Sequence, residues 1–368
     1  MGPLAGLRII EFDGLGPVTF AGMVLADMGA EVLRLTRGGA APAAVFDDVG
    51  GEVLHRGRTA VPVDLKSPDD RDRVLALIES ADALIEGFRP GVMERLGLGP
   101  DICTARNPRL VYGRVTGWGQ TGPMADQVGH DINYIALSGA LYPMGAGDRP
   151  PLPPLNLIGD YGGGAMMLVS GVLAAMLEAR STGRGRVVDA AMTDGSALLT
   201  SLFHALRSRG LWSDAREANL LDGGTPFYRC YTCKDGGFVA VGALEPRFYA
   251  AFINGLGLTP DEAPQFDRSN WPALQARIKA LFATRDRDDW AAHFAGTEAC
   301  VTPVLTMAEA AAHPHNRARE TFVEAGITQP APAPRFAEAA AAISAERRVL
   351  PLDRALADWA EPSVLDVS

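Results

Sequence analysis

Short apolar runs alternate with stretches of helical spacing along the N-terminal part of the chain. Residues 7–12 (LRIIEF) form an apolar run with β-branched residues, closed by DGLGP. VTFAGMVLADMGA then repeats apolar positions at helical intervals, and EVLRL is apolar again. Strand, glycine-rich turn, helix and strand within roughly 30 residues make a βαβ unit. AVPVDL, SPDDRDRVLALIESA and ALIEGF repeat the scheme. Ser67 is a natural N-cap there, with Pro68 in the first helical position and Asp69 and Asp70 in the first turn, where the helix dipole favours acids. RPGVMERLGLGPDICTARNPRLVYGRVTGWG reads again as helix then strand. This alternation predicts an α/β fold with a doubly wound, Rossmann-like parallel sheet, whose ligands sit at the carboxyl ends of the strands.

The pattern then changes. GHDINYIALSGAL starts a helical face with Ile132, Ile135 and Leu137, and a Gly/Pro-rich connection leads to NLIGDYGGG. GGAMMLVSGVLAAMLEARSTG is almost wholly apolar, hence a buried helix closed by Gly183; GRVVDAAM is a strand and DGSALLTSLFHALRSRG a further helix. LWSDAREANLLDGGTP breaks the rhythm. FYRCYTCKDGGFVAVGAL beyond it is a hairpin turning at Asp235-Gly236-Gly237. Two helical stretches follow, and from about Gln329 the chain becomes Pro/Ala-rich. The expected organisation is a large ligand-binding domain at 1–200, a linker at 201–224, a small α+β domain at 225–328, and an arm at 329–368 returning to the large domain.

The chain has 368 residues, 47% of them hydrophobic, which allows more than one core. A net charge of −10 argues against a polyanion-binding surface, so no nucleic acid partner is expected. No long uninterrupted apolar stretch or secretory signal is present, so the expectation is a cytoplasmic protein with no membrane partner. Of the cysteines Cys103, Cys230, Cys233 and Cys300, only Cys230 and Cys233 form a CxxC. A zinc site would want a second pair, and residues three apart on a strand face opposite sides. No metal or redox cofactor is expected.

Basic residues punctuate the strand ends: Arg34, Arg37, Lys66 and Arg89, with Arg56, Arg58 and Arg95 nearby. In an acidic chain such a set suggests a phosphate-bearing ligand, although any single arginine reads equally as solvated surface. The turn Gly14-Leu15-Gly16-Pro17 fails as a dinucleotide fingerprint. Its third glycine is displaced to Gly22, and the second strand ends on arginines where an acid is needed. No P-loop, GxSxG or HExxH occurs.

His130 and Asp160 lie on separate elements, as a proton donor and acceptor for chemistry at carbon should. Each also has a structural explanation. A histidine at a helix start can simply cap it, and an aspartate before a helix can be an N-cap stabilising by about 1 kcal/mol. The three glycines after Asp160 cost a helix about 1 kcal/mol each and suggest that a ligand approaches the backbone closely. Glu245, after FVAVGAL and before Pro246, can orient a histidine or stand on the surface.

The runs VTGWGQTGP, GHDINYIALSGAL, PPLNLIGDYGGGAMM, GRGRVVDAAMTDG and LDGGTPFYRCYTCKDGGFVAVGALEPRFY resemble the α-methylacyl-CoA racemases of the family III CoA-transferase superfamily. GLRIIEF, LADMGAEVLRL, DLKS and EGFRPGVMERLG match too, so the resemblance covers nearly the whole chain. It implies a racemase or epimerase inverting the α-carbon of 2-methylacyl-CoA thioesters, with His130 and Asp160 as the acid–base pair. Glu245 and Asp131 would support His130, with Asn156 near Asp160. CoA, as part of the substrate, would be contacted at Arg37, at Val63, Asp64, Leu65 and Lys66, at Gly87, Phe88 and Arg89, at Arg95, and at Gly129, Ile132, Asn133 and Tyr134. The resemblance also implies an interlocked homodimer. The alternatives are a family III CoA transferase using Asp160 as nucleophile, and a non-catalytic CoA-binding protein.

Overall fold

The computed structural model describes residues 2–37, 50–337, 343 and 348–360; parts of the expected C-terminal arm therefore lie outside the described residues. The described chain divides into two units. One gathers residues within 1–140, 154–200 and 318–368, the other 141–153 and 201–317. The return to the first unit thus begins before Gln329. Residues 201–224 carry a helix, Ser201–Ser208, within the second unit.

The first unit is built on a seven-stranded sheet. Its strands are β1 Arg8–Phe12, β2 Glu31–Arg37, β3 Thr59–Val63, β4 Ala83–Glu86, β5 Val111–Thr116 and β6 Val187–Ala191, with Arg348–Val349 added at one edge. The order is Arg348–Val349, β3, β2, β1, β4, β5, β6, with every pairing parallel. β1, β4 and β5 are buried throughout, the mark of a sheet covered on both faces. Pro62 is tolerated in β3 because Arg348–Val349 pairs only with Thr59 and Ala60, which leaves the rest of β3 as an edge.

Both faces have their own core. Helix α1, Pro17–Asp27, and the apolar helix α2, Met166–Thr182, pack Val18, Leu25, Leu168 and Val172 against Ile9, Ile85 and Val115. Pro68–Glu79 and Leu352–Trp359 cover the other face with Val74, Ile78 and Trp359 against Ile10, Leu33 and Tyr112. Ser67 Oγ accepts from Asp70 N–H with Pro68 in the first turn, as the sequence predicts. The helical stretch Leu157–Thr182 is long and apolar enough to cross a bilayer, yet half of its most apolar window is buried in this unit. The helix expected across 194–209 breaks at Thr200, whose Oγ1 bonds the Ala197 carbonyl, and Met192–Leu199 is the part that stays in the first unit.

The second unit holds the hairpin Tyr228–Thr232 and Phe238–Gly242, extended antiparallel by Val301–Val304. Gly236 takes φ 82° at the turn, and Asp235 Oδ1 accepts from Gly237 N–H. Cys230 is exposed and Cys233 buried, as opposite faces of the strand end require. Phe227, Phe252, Phe282 and Trp290 lead its separate aromatic core.

Candidate active site

Strand order reverses between β1 and β4, the point at which a parallel sheet leaves a crevice at its carboxyl edge. The loop leaving β1 turns at Gly16, φ 69°, which also caps α1. A Cβ at Gly16 would stand 3.2 Å from Asp160 Oδ2. The carboxylate therefore lies against the start of α1, where the helix dipole is positive. Only glycine combines that φ with so close an approach.

Asp160 is not an N-cap. It sits in the first turn of a wide, π-helical stretch, Leu157–Ala165, that runs into α2. Such wide turns frequently mark functional positions. Two of the three glycines that follow, Gly163 and Gly164, serve helix packing instead of the ligand approach expected from the sequence, while Gly162 is half-buried. Gly163 faces Ser196 and Met192, Gly164 faces Met192, and the Gly163 carbonyl occupies the space a Cβ at Gly195 would need. They let Met192–Leu199 pack directly on the segment that carries Asp160. Gly195→Ala is accordingly expected to cost about 1–3 kcal/mol in urea unfolding, with a lowered catalytic rate as the two helices part.

Helix α3, Asp131–Leu137, presents His130 at its N-cap, exposed, with its backbone N–H donated to Asn133 Oδ1 at 3.0 Å. Ile135 and Tyr134 are the apolar anchors of this helix. Ile132 and Leu137, expected on the buried face, are exposed. The Asp131 carboxylate, expected to support His130, instead accepts the Asp160 N–H on Oδ2 at 2.7 Å. Asn156 Nδ2 donates to Asp160 Oδ2 at 3.2 Å. Burial pushes the Asp160 carboxyl above the usual carboxylate range; the Asn156 bond opposes this, the Asp131 charge adds to it, and His130 lowers it. Desolvation also raises the Tyr134 phenol, with Asp160 adding and Arg89 opposing.

Around this centre, the expected ligand contacts fall at the carboxyl edge of the sheet. Arg37 ends β2, Val63 ends β3, and Asp64, Leu65 and Lys66 form the turn after it, with Asp64 Oδ1 accepting from Lys66 N–H. Gly87, Phe88 and Arg89 follow β4, and Phe88 N–H is held by the buried Glu86 at 2.7 Å. Arg95 closes the turn Val92–Arg95. Tyr134 packs on Gly117 and Gly129, donates to the Gly129 carbonyl, and meets Trp118 edge-on at 4.8 Å. Arg37, Lys66, Arg89 and Arg95 are exposed.

Three of the basic residues singled out in the sequence are committed elsewhere. Arg34 pairs with Asp13 at 2.6 Å, Arg56 with Asp27 at 2.6 Å, and Arg58 with the fully buried Glu11. Gly22 serves that last pair, since a Cβ there would fall on the Glu11 carboxylate. Glu245 lies in the second unit, exposed, at the N-cap of Pro246–Gly255. Gly16, Gly159 and the Phe20–Tyr161 stack, 4.2 Å between ring centres, are site elements the sequence did not identify as such. Only the glycine turn after β1 hinted at them.

The model of CoA-transferase family III matches residues 4–350. The chain is 44% identical to the alpha-methylacyl-CoA racemase of Mus musculus, covering 94% of this chain and 89% of that protein. It is 43% identical to the racemase of the same name from Homo sapiens, covering 90% and 86%. A CaiB/BaiF family protein from Brucella suis, 23% identical, has the same fold with a TM-score of 0.79 over 98% of this chain and 99% of that one. The chain belongs to CoA-transferase family III.

Proposed function

We propose that this protein is an isomerase that inverts the α-carbon of 2-methylacyl-CoA thioesters by 1,1-proton transfer, with His130 and Asp160 as the acid–base pair. The observation carrying this is one carboxyl and one imidazole held at the carboxyl edge of a parallel sheet, with burial favouring the protonated carboxyl. Identity to two proteins named as racemases supports the same class for this chain.

Inversion removes a proton from one face of the α-carbon and delivers another to the opposite face. From one enantiomer, neutral His130 takes the proton, the electron pair moves to the thioester oxygen as an enolate, and protonated Asp160 returns a proton from the other side. From the other enantiomer the roles reverse. Backbone N–H groups around Asp131, at the start of α3, are the donors for the enolate oxygen. Arg37, Lys66, Arg89 and Arg95 take the CoA phosphates as charged donors. No metal or redox group enters the scheme. In the same reading the enzyme is a cytoplasmic homodimer, with Glu245 supporting the His130 imidazole across subunits.

The family description opens a second reading, in which the Asp160 carboxylate attacks the thioester carbonyl, CoA leaves as the thiolate and an acyl–aspartate anhydride remains. Hydroxylamine added with acyl-CoA and an acceptor acid separates the two. The racemase leaves Asp160 unmodified, whereas a hydroxamate on Asp160 would establish the transferase.

A further inference from the structure

Resting on the racemase reading, we infer that Asp131 is a positioning residue for Asp160: its side chain clamps the backbone from which the Asp160 carboxyl projects and sets a like charge beside it. Asp131 is 7% exposed. Its Oδ2 accepts the Asp160 N–H at 2.7 Å, and Gly159 leaves it room, since a Cβ there would lie 2.5 Å from that oxygen. Oδ1 is buried with no hydrogen-bond partner among the described residues.

One N–H needs one acceptor, and a neutral asparagine or serine would supply it. Burying a whole carboxylate for that bond is costly and returns no extra stability. The charge itself is therefore what the position retains. Around Asp160, helix α3 contributes His130, Asp131 and Tyr134, with Arg89 acting on Tyr134. Its own segment contributes Asn156 and Tyr161. The start of α1 offers Gly16 and Pro17, and Met192–Leu199 offers Met192, Gly195 and Ser196, none of which titrates near neutrality. Asp131 thus supplies negative charge that adds to burial, the larger cause, in raising the Asp160 carboxyl.

Asp131→Asn keeps the shape and an acceptor for the Asp160 N–H but removes the charge. The titration of Asp160 is followed by NMR of protein labelled with 13C in its aspartate carboxyls, the resonance being assigned by its loss in Asp160→Asn. It should move down by about one pH unit. The limb of the racemisation pH profile that follows Asp160 should move the same way, with KM for acyl-CoA unchanged. Asp131→Ser, smaller and equally neutral, should give the same shift and serves if the asparagine variant does not fold. A titration that stays in place or rises in the folded variant overturns the inference. A downward shift in a protein whose wild type exchanges no α-proton would keep the Asp131 assignment and overturn the racemase reading.

Discussion

Asp160→Asn is expected to lower the racemisation rate about 10²–10⁴-fold, the usual contribution of a positioned general acid–base group. The amide has the size of the carboxylate, so the helix carrying it and its packing on Gly195 are untouched. Its oxygen still accepts from Asn156, and its own N–H still reaches Asp131. Only the proton is lost. The fall should therefore be in kcat, with KM for acyl-CoA nearly unchanged and an unaltered circular dichroism spectrum, because the CoA contacts lie on other loops. A rate within a fewfold of wild type would remove Asp160 from the chemistry.

The largest expected effect on stability lies away from the site. Glu11 is fully buried on β1, and its carboxyl is raised first by desolvation, with Arg58 pulling it back down. Arg58 is itself buried, and its Nε and Nη2 have no partner among the described residues, so the guanidinium serves chiefly to offset Glu11. Arg58→Ala leaves an uncompensated charge and a gap beneath α1, at a cost of about 3–5 kcal/mol, read from urea unfolding midpoints. Glu11→Leu combined with Arg58→Met should recover most of that loss, since a well-packed apolar pair avoids the desolvation of both ions. A single variant as stable as wild type would show that the pair contributes nothing.

These two cases also show what a sequence can and cannot carry. The βαβ opening, the Ser67-Pro68 helix start and the Asp235-Gly236-Gly237 hairpin were legible because each depends on neighbours a few residues apart. His130 and Asp160 stood out by their residue types and the motifs around them, and the fold brings them close enough for His130 to act on the Asp160 carboxyl. Which arginines face a ligand was not. Arg58 and Arg89 look alike along the chain, and only the fold shows that Arg58 meets Glu11, 47 residues away, while Arg89 stays exposed. The glycine run after Asp160 was misread for the same reason. Its partner is Gly195 on a later helix, and close packing of two helices leaves the same local signature as room for a ligand. The family resemblance assigned Asp131 to His130, yet the fold turns its carboxylate toward the Asp160 backbone.

The most direct test of opposed proton transfer by His130 and Asp160 is α-proton exchange in heavy water with the separate enantiomers of a 2-methylacyl-CoA. Wild type should exchange both and interconvert them. His130→Ala should exchange chiefly the enantiomer whose α-proton faces Asp160, Asp160→Asn chiefly the other, with inversion by either lowered about 10²–10⁴-fold. Undiminished exchange of both enantiomers in His130→Ala would contradict the two-group account.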